Sequence, residues 1–169
     1  LRQTAQHLRS GPLGHAARPS AAMEAPQQQE GKSQRTRRLN DELHALVRQR
    51  NLKACLAKLE QGERDKNVDG RSYATACAAC GDAGDGTTAL QLLRTAGSRG
   101  GKCSPGVEAC TAAVKALGSN DVDAAYSLVE AMSRAGSSHA PHECGPLTAI
   151  AKPNQRTLNT LLRACLTAG

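Results

Sequence analysis

The sequence predicts an all-α fold, a solenoid of helix-turn-helix repeats, and three observations carry that expectation. Apolar residues recur at i, i+3, i+4 and i+7 in one helix-length window after another. The 169-residue chain has no Phe, no Trp and two Tyr, so Ala, Leu and Cys must supply the core, which suits helices packed at close range. Aligned on their first helices, the windows place Asn40, Ala74, Thr111 and Asn159 in register, 34, 37 and 48 residues apart. The first two intervals are those of helix-pair repeats.

The elements follow in chain order. Residues 1–38 hold seven Lys/Arg against two Glu, whereas residues 39–169 hold fifteen against thirteen Asp/Glu. Most of the net charge of +7 therefore belongs to the tail. With no acidic residue before Glu24 and much Arg, Ala, Ser, Gln and Pro, residues 1–38 read either as an organellar transit peptide or as a disordered basic extension. The expected location is a mitochondrion or chloroplast; if Met23 is the true start, it is the cytoplasm.

From Leu39 the apolar residues Leu39, Leu43, Leu46 and Val47, then Leu52, Cys55, Leu56 and Leu59, form a first helix pair. A second runs from Gly70 to Gly100, with Tyr73, Ala76, Cys77, Cys80 and Ala83 on one helix and Ala89, Leu92, Leu93 and Ala96 on the next. The third runs from Gly106 to Gly136, with Cys110, Ala113, Val114 and Leu117 followed by Val122, Ala125, Leu128, Val129 and Met132. Asn120 or Asp121 can cap its second helix. The inserted loop at 137–154, with its Pro, His and Gly residues, lengthens the third interval. A final helix over 155–168 sets Leu158, Leu161, Leu162 and Cys165 on one apolar face, expected to be uncovered because no second helix of the unit follows it.

Several constellations point to chemistry and are set aside. Cys77 and Cys80 lack two further zinc ligands at compatible spacing and share the apolar face of their helix. His139, His142, Glu143 and Cys144 sit in the inserted loop, where such residues commonly bind nothing. The Gly-rich stretch from Gly81 to Gly86 has no following Walker lysine and no preceding strand, so it reads as an interhelical turn. Without a nucleophile, base and orienter on a recognisable scaffold, no catalysis, cofactor or small-molecule substrate is expected. No apolar run reaches the ~18 residues of a membrane span.

The stretches "KPNQRTLNTLLRACLTAG" and "SYATACAACGDAGDGTTALQLLRTAGSRG" resemble pentatricopeptide repeats. Units of that family share a Pro-Asn or Pro-Asp turn, a Thr-aromatic-Asn-Thr-Leu first helix, an Ala-Gly-Asp turn and an Ala-Leu-x-Leu second helix. Tetratricopeptide repeats are the nearest relatives in pattern, but their Trp is missing here. About three and a half units cover residues 39–169. The resemblance implies a right-handed, tetratricopeptide-like superhelix whose first helices line a groove for single-stranded RNA, with two base-reading side chains per unit.

Carried over, Asn40 with Asp69 would favour uracil and Thr111 with Asn154 would favour adenine. Ala74 and its junction near Gly106 make the middle unit a spacer, and Asn159 is the reader of the last unit. Asn and Thr near helix starts also serve as caps, so both roles stay open at Asn40 and Asn159. The expected partners are single-stranded organellar RNA and, with it, ribosomal or RNA-processing proteins, in transcript processing, stability, editing or translation. Two other readings remain: a protein-interaction scaffold or ribosome-associated factor, and the RNA-binding part of an enzyme whose catalytic domain is absent from these residues.

Overall fold

The computed structural model describes residues 31–134 and 151–168. They form α1 (Lys32–Arg48), α2 (Leu52–Arg64), α3 (Gly70–Ala83), α4 (Gly86–Arg99), a 3-10 turn at Gly101–Cys103, α5 (Val107–Gly118), α6 (Val122–Arg134) and α7 (Gln155–Ala168). No strand occurs among the described residues, as the all-α expectation requires. The helices pair as α1/α2, α3/α4 and α5/α6. The odd-numbered members then lie in a row, with α3 between α1 and α5, and α5 against α7. Helices α2, α4 and α6 pack onto the next odd helix rather than onto one another.

Short polar side chains start these helices. Asn51 accepts from Ala54 N at 3.0 Å, Asp69 from Ser72 N at 2.9 Å, and Asp85 from Thr88 N at 3.0 Å. Asp121 accepts from Ala124 N at 2.9 Å and Asn154 from Thr157 N at 3.0 Å. Each satisfies an N–H that the helix itself cannot, which is worth about 1 kcal/mol. Of the two caps expected for α6, Asp121 takes the role. Asn120 instead donates to Gly84 O at 2.7 Å and ties two interhelical turns together.

The core is a run of small and aliphatic side chains between the layers. Leu39, Leu43, Cys55, Leu59, Tyr73, Ala76 and Ala96 form its first part; Cys77, Cys80, Ala89, Leu93, Cys110, Val114, Leu117, Leu128 and Met132 form the second. Tyr73, with no exposed surface, donates to Glu63 Oε1 at 2.6 Å, and Glu63 pairs with Arg99 at 3.3 Å. That chain joins α3 to α2 and α4, and burial, then Glu63, pushes the phenol's pKa up. Cys55 and Cys110 are pushed by burial to about 11 and Cys80 to about 12, with Cys77 also raised. These thiols stay protonated and behave as small apolar residues.

Three expectations are corrected. Helix α1 begins at Lys32, so residues 32–38, expected in the disordered extension, are helical. The segment has no Gly or Pro to stop it, and Arg38 Nε donates to Glu42 Oε1 one turn on at 3.2 Å. Ala83 is exposed because α3 ends there. On α7, Leu158, Leu162 and Cys165 of the uncovered face are exposed as expected, together with Leu166, but Leu161 is buried in one line with Thr157 and Ala164.

The physical reason lies in how closely α5 and α7 approach. A Cβ built on Gly118 would lie 2.4 Å from the Ala164 Cβ, so only glycine fits there. The side of α7 that carries Ala164, with Thr157 and Leu161, is therefore the buried one. The His139, His142, Glu143 and Cys144 group, and residues 1–30 of the extension or transit peptide read over 1–38, lie outside the described residues.

Candidate nucleic-acid interface

Two junctions between successive odd helices are built on one plan. At the first, Asn40 stands in the middle of α1, so it does not cap that helix. It is 6% exposed and its Nδ2 donates to the Asp69 carboxylate, 3.3 Å from Oδ1 and 3.5 Å from Oδ2. Ser72 Oγ lies 2.7 Å from Asn40 Oδ1 and 3.0 Å from Asp69 Oδ1. Asp69 caps α3 and Ser72 Oγ in turn accepts from Asp69 N, so the cap and the interhelical contact share the same atoms.

At the second, Thr111 of α5 donates to Val107 O at 2.7 Å, and its Oγ1 lies 2.8 Å from Thr157 Oγ1. Thr157 has no exposed surface, and its N–H and Oγ1 lie 3.0 and 3.1 Å from Asn154 Oδ1. The inserted loop thus leaves Asn154 joined to Thr111 through a single residue. Asn40, Ser72 and Asp69 correspond to Thr111, Thr157 and Asn154: inner-helix residue, third helical residue, cap.

The intervening junction is empty of such groups. Ala74, Ala109 and Gly106 hold the three positions, and Gly106 has no side chain with which to cap α5. Asn159 sits at the register of Ala74 and Thr111, is exposed, and lines neither of the two clefts described next. Four of the five expected readers are therefore brought together in pairs, and Asn159 is not.

The outward valences of the two junctions differ in sign. Asp69 Oδ1 is used by Ser72 and Asn40, while Oδ2 receives only the longer contact of 3.5 Å. It is an available acceptor. Because Thr157 N–H donates to Asn154 Oδ1, the amide is oriented with its Nδ2 donors directed away, and Asn154 is exposed. Asn40 and Thr111 are largely consumed in holding the helices together.

Ser72 and Thr157 were not among the expected site residues. Their signal was present as Asp-x-x-Ser and Asn-x-x-Thr across two helix starts, "DGRS" and "NQRT". Asp85-Thr88 shows the same local pattern, so the motif marks a cap, and only the neighbouring helix makes it a junction.

The two junctions open into adjoining clefts along the odd helices. One, of about 650 Å³, is lined by Asn40 and Asp69 with Lys32, Arg37, Arg71 and Lys102. The other, of about 740 Å³, holds Thr111 and Asn154 with His44, Ala74, Lys115 and Arg156. Gly70 and Arg71 line both, so the clefts adjoin. Among the described residues no group of three or more His, Cys, Asp or Glu could hold a metal ion, and no helix is long and apolar enough to cross a membrane. No family model, curated protein or solved structure matches the chain.

Proposed function

We propose that the chain is a pentatricopeptide-like superhelical array that binds single-stranded RNA in the groove along α1, α3, α5 and α7. Its setting is a mitochondrion or chloroplast, and its action is occupancy: a bound strand is shielded from nucleases or held open for other factors. The observation that carries this reading is the opposite polarity of two otherwise equivalent junctions. The acceptor at Asp69 Oδ2 suits the N3–H of uracil, and the donor at Asn154 Nδ2 suits N1 of adenine. Single-stranded RNA is the polymer whose base edges are free to meet such groups.

The spacer at Ala74, Ala109 and Gly106 sets the register of the test. Binding of the full chain to short single-stranded RNAs of equal length, measured over a salt series, is expected to favour uridine and adenosine separated by one nucleotide. Asp69→Asn replaces the acceptor by an amide that can also donate, so it shifts the first position from uridine toward a base presenting an acceptor. Absence of salt-dependent RNA binding overturns the proposal. A second reading, a protein-interaction scaffold, is favoured by one observation: Leu158, Leu162 and Leu166 are 46%, 60% and 83% exposed along one side of α7.

A further inference from the structure

The sequence "GGKC" from Gly100 to Cys103 places a cation where sequence distance alone would not put one. Gly100 and Gly101 take φ of 58° and 54°, which only glycine adopts readily. Cys103 is buried, with its Sγ 3.6 Å from Val68 O, and pins the turn. A Cβ on Gly70 would meet Ser104 O at 2.7 Å, so the turn lies directly on the first residue of α3. Lys102 and Arg71 thereby line one side of the same cleft, with Lys32 and Arg37 of α1.

Some basic side chains elsewhere are neutralised locally. Arg38 and Lys58 pair with Glu42, Arg64 with Glu60, Arg99 with Glu63, Lys115 with Asp82 and Arg134 with Glu130. Lys32, Arg37, Arg71 and Lys102 have no ion pair among the described residues. Two carboxylates share their cleft: Asp69, engaged by Asn40 and Ser72, and Asp41. Positive charge is in excess by two, and the N-terminal end of α3 adds to it.

Resting on the RNA reading above, we propose that this cleft seats the phosphodiester backbone of the strand, with Lys32, Arg37, Arg71 and Lys102 as its cations. The cleft is open and adjoins the second at Gly70 and Arg71, which fits a chain of phosphates passing along the groove rather than one enclosed anion. Arginine can grip two phosphate oxygens at once, and lysine contributes a point charge. The backbone so held lies beside Asp69 and fixes the base that its carboxylate meets.

The test is equilibrium binding of the full chain to a uridine- and adenosine-containing single strand over a salt series, with circular dichroism to check each variant's fold. Changing Lys32, Arg37, Arg71 and Lys102 together to Gln is expected to weaken binding about tenfold or more and to lower the salt slope by about 0.7 for each phosphate no longer neutralised. Changing Arg48, Lys53 and Arg94, exposed cations outside both clefts, to Gln is expected to cost less than about threefold. Asp41→Asn removes a repelling charge and is expected to tighten binding. Equal losses from the two sets, an unchanged slope in the first, or no gain from Asp41→Asn overturns the assignment while RNA binding itself stands. A wild-type chain that binds no RNA overturns the functional reading and this one with it.

Discussion

Thr111 Oγ1 lies 2.8 Å from Thr157 Oγ1, a contact that joins α5 to α7 across 46 residues of sequence. Thr157 is wholly buried and also receives the cap from Asn154. Thr157→Val keeps the volume and removes the hydroxyl, stranding polar atoms of both neighbours. The expected loss is about 1–2 kcal/mol in urea unfolding. Ser72→Ala is expected to cost a similar amount, because Asn40 is equally enclosed at the other junction. If Thr157→Val is neutral, the hydroxyl contact does not hold the helices in register.

Gly118 and Ala164 set the α5 to α7 distance. Gly to Ala within a helix ordinarily stabilises by up to about 1 kcal/mol, but a new Cβ here falls 2.4 Å from that of Ala164. Gly118→Ala is therefore expected to destabilise by about 1–3 kcal/mol through overpacking. Ala164→Gly in the same chain should recover most of the loss. A double-mutant cycle on thermal unfolding reads the coupling, and strict additivity would show that the approach of these two residues is not limiting.

The buried thiols make stability fall in alkali. Burial raises Cys55 and Cys110 to about 11 and Cys80 to about 12, with Cys77 also raised, against about 8.5 in the unfolded chain. A raised folded value means that the unfolded chain gives up its protons first. The stabilising contribution is thus complete below about pH 8.5 and is lost as pH rises toward the folded values. Each thiol contributes a decline of about 1.4 kcal/mol per pH unit over that window. Urea midpoints from about pH 8 to pH 10 test this, and Cys77→Ala with Cys80→Ala should flatten the curve. In native alkylation followed by peptide mapping, Cys165, which is exposed, should label well before these four.

Helix existence and the first-helix register were legible because they depend on local periodicity. Leu43, Cys55, Ala76, Cys80, Ala89, Cys110, Val114 and Met132 were all read onto apolar faces and all are buried. The pairing of Asn40 with Asp69, and of Thr111 with Asn154, is what the resemblance implies, and the bridging Thr157 comes only from the structure. What escaped was of another kind. Leu161 shares the spacing of Leu158, Leu162 and Cys165, yet it is buried in line with Thr157 and Ala164, on the side where α7 closely approaches Gly118. Lys32 to Arg38 reads as part of the basic extension, and a run of charges is also what the exposed side of a helix looks like.

By itself, the sequence determined the all-α class and which apolar positions share a helix face, since periodicity acts within a few residues. Only the tertiary structure decided which of those faces is covered, that Ser72 and Thr157 bridge neighbouring helices, and that Lys102 comes to line one cleft with Arg71. Those outcomes depend on distances between backbones remote in sequence, set by the steric limits at Gly70 and Gly118, and no local pattern encodes them.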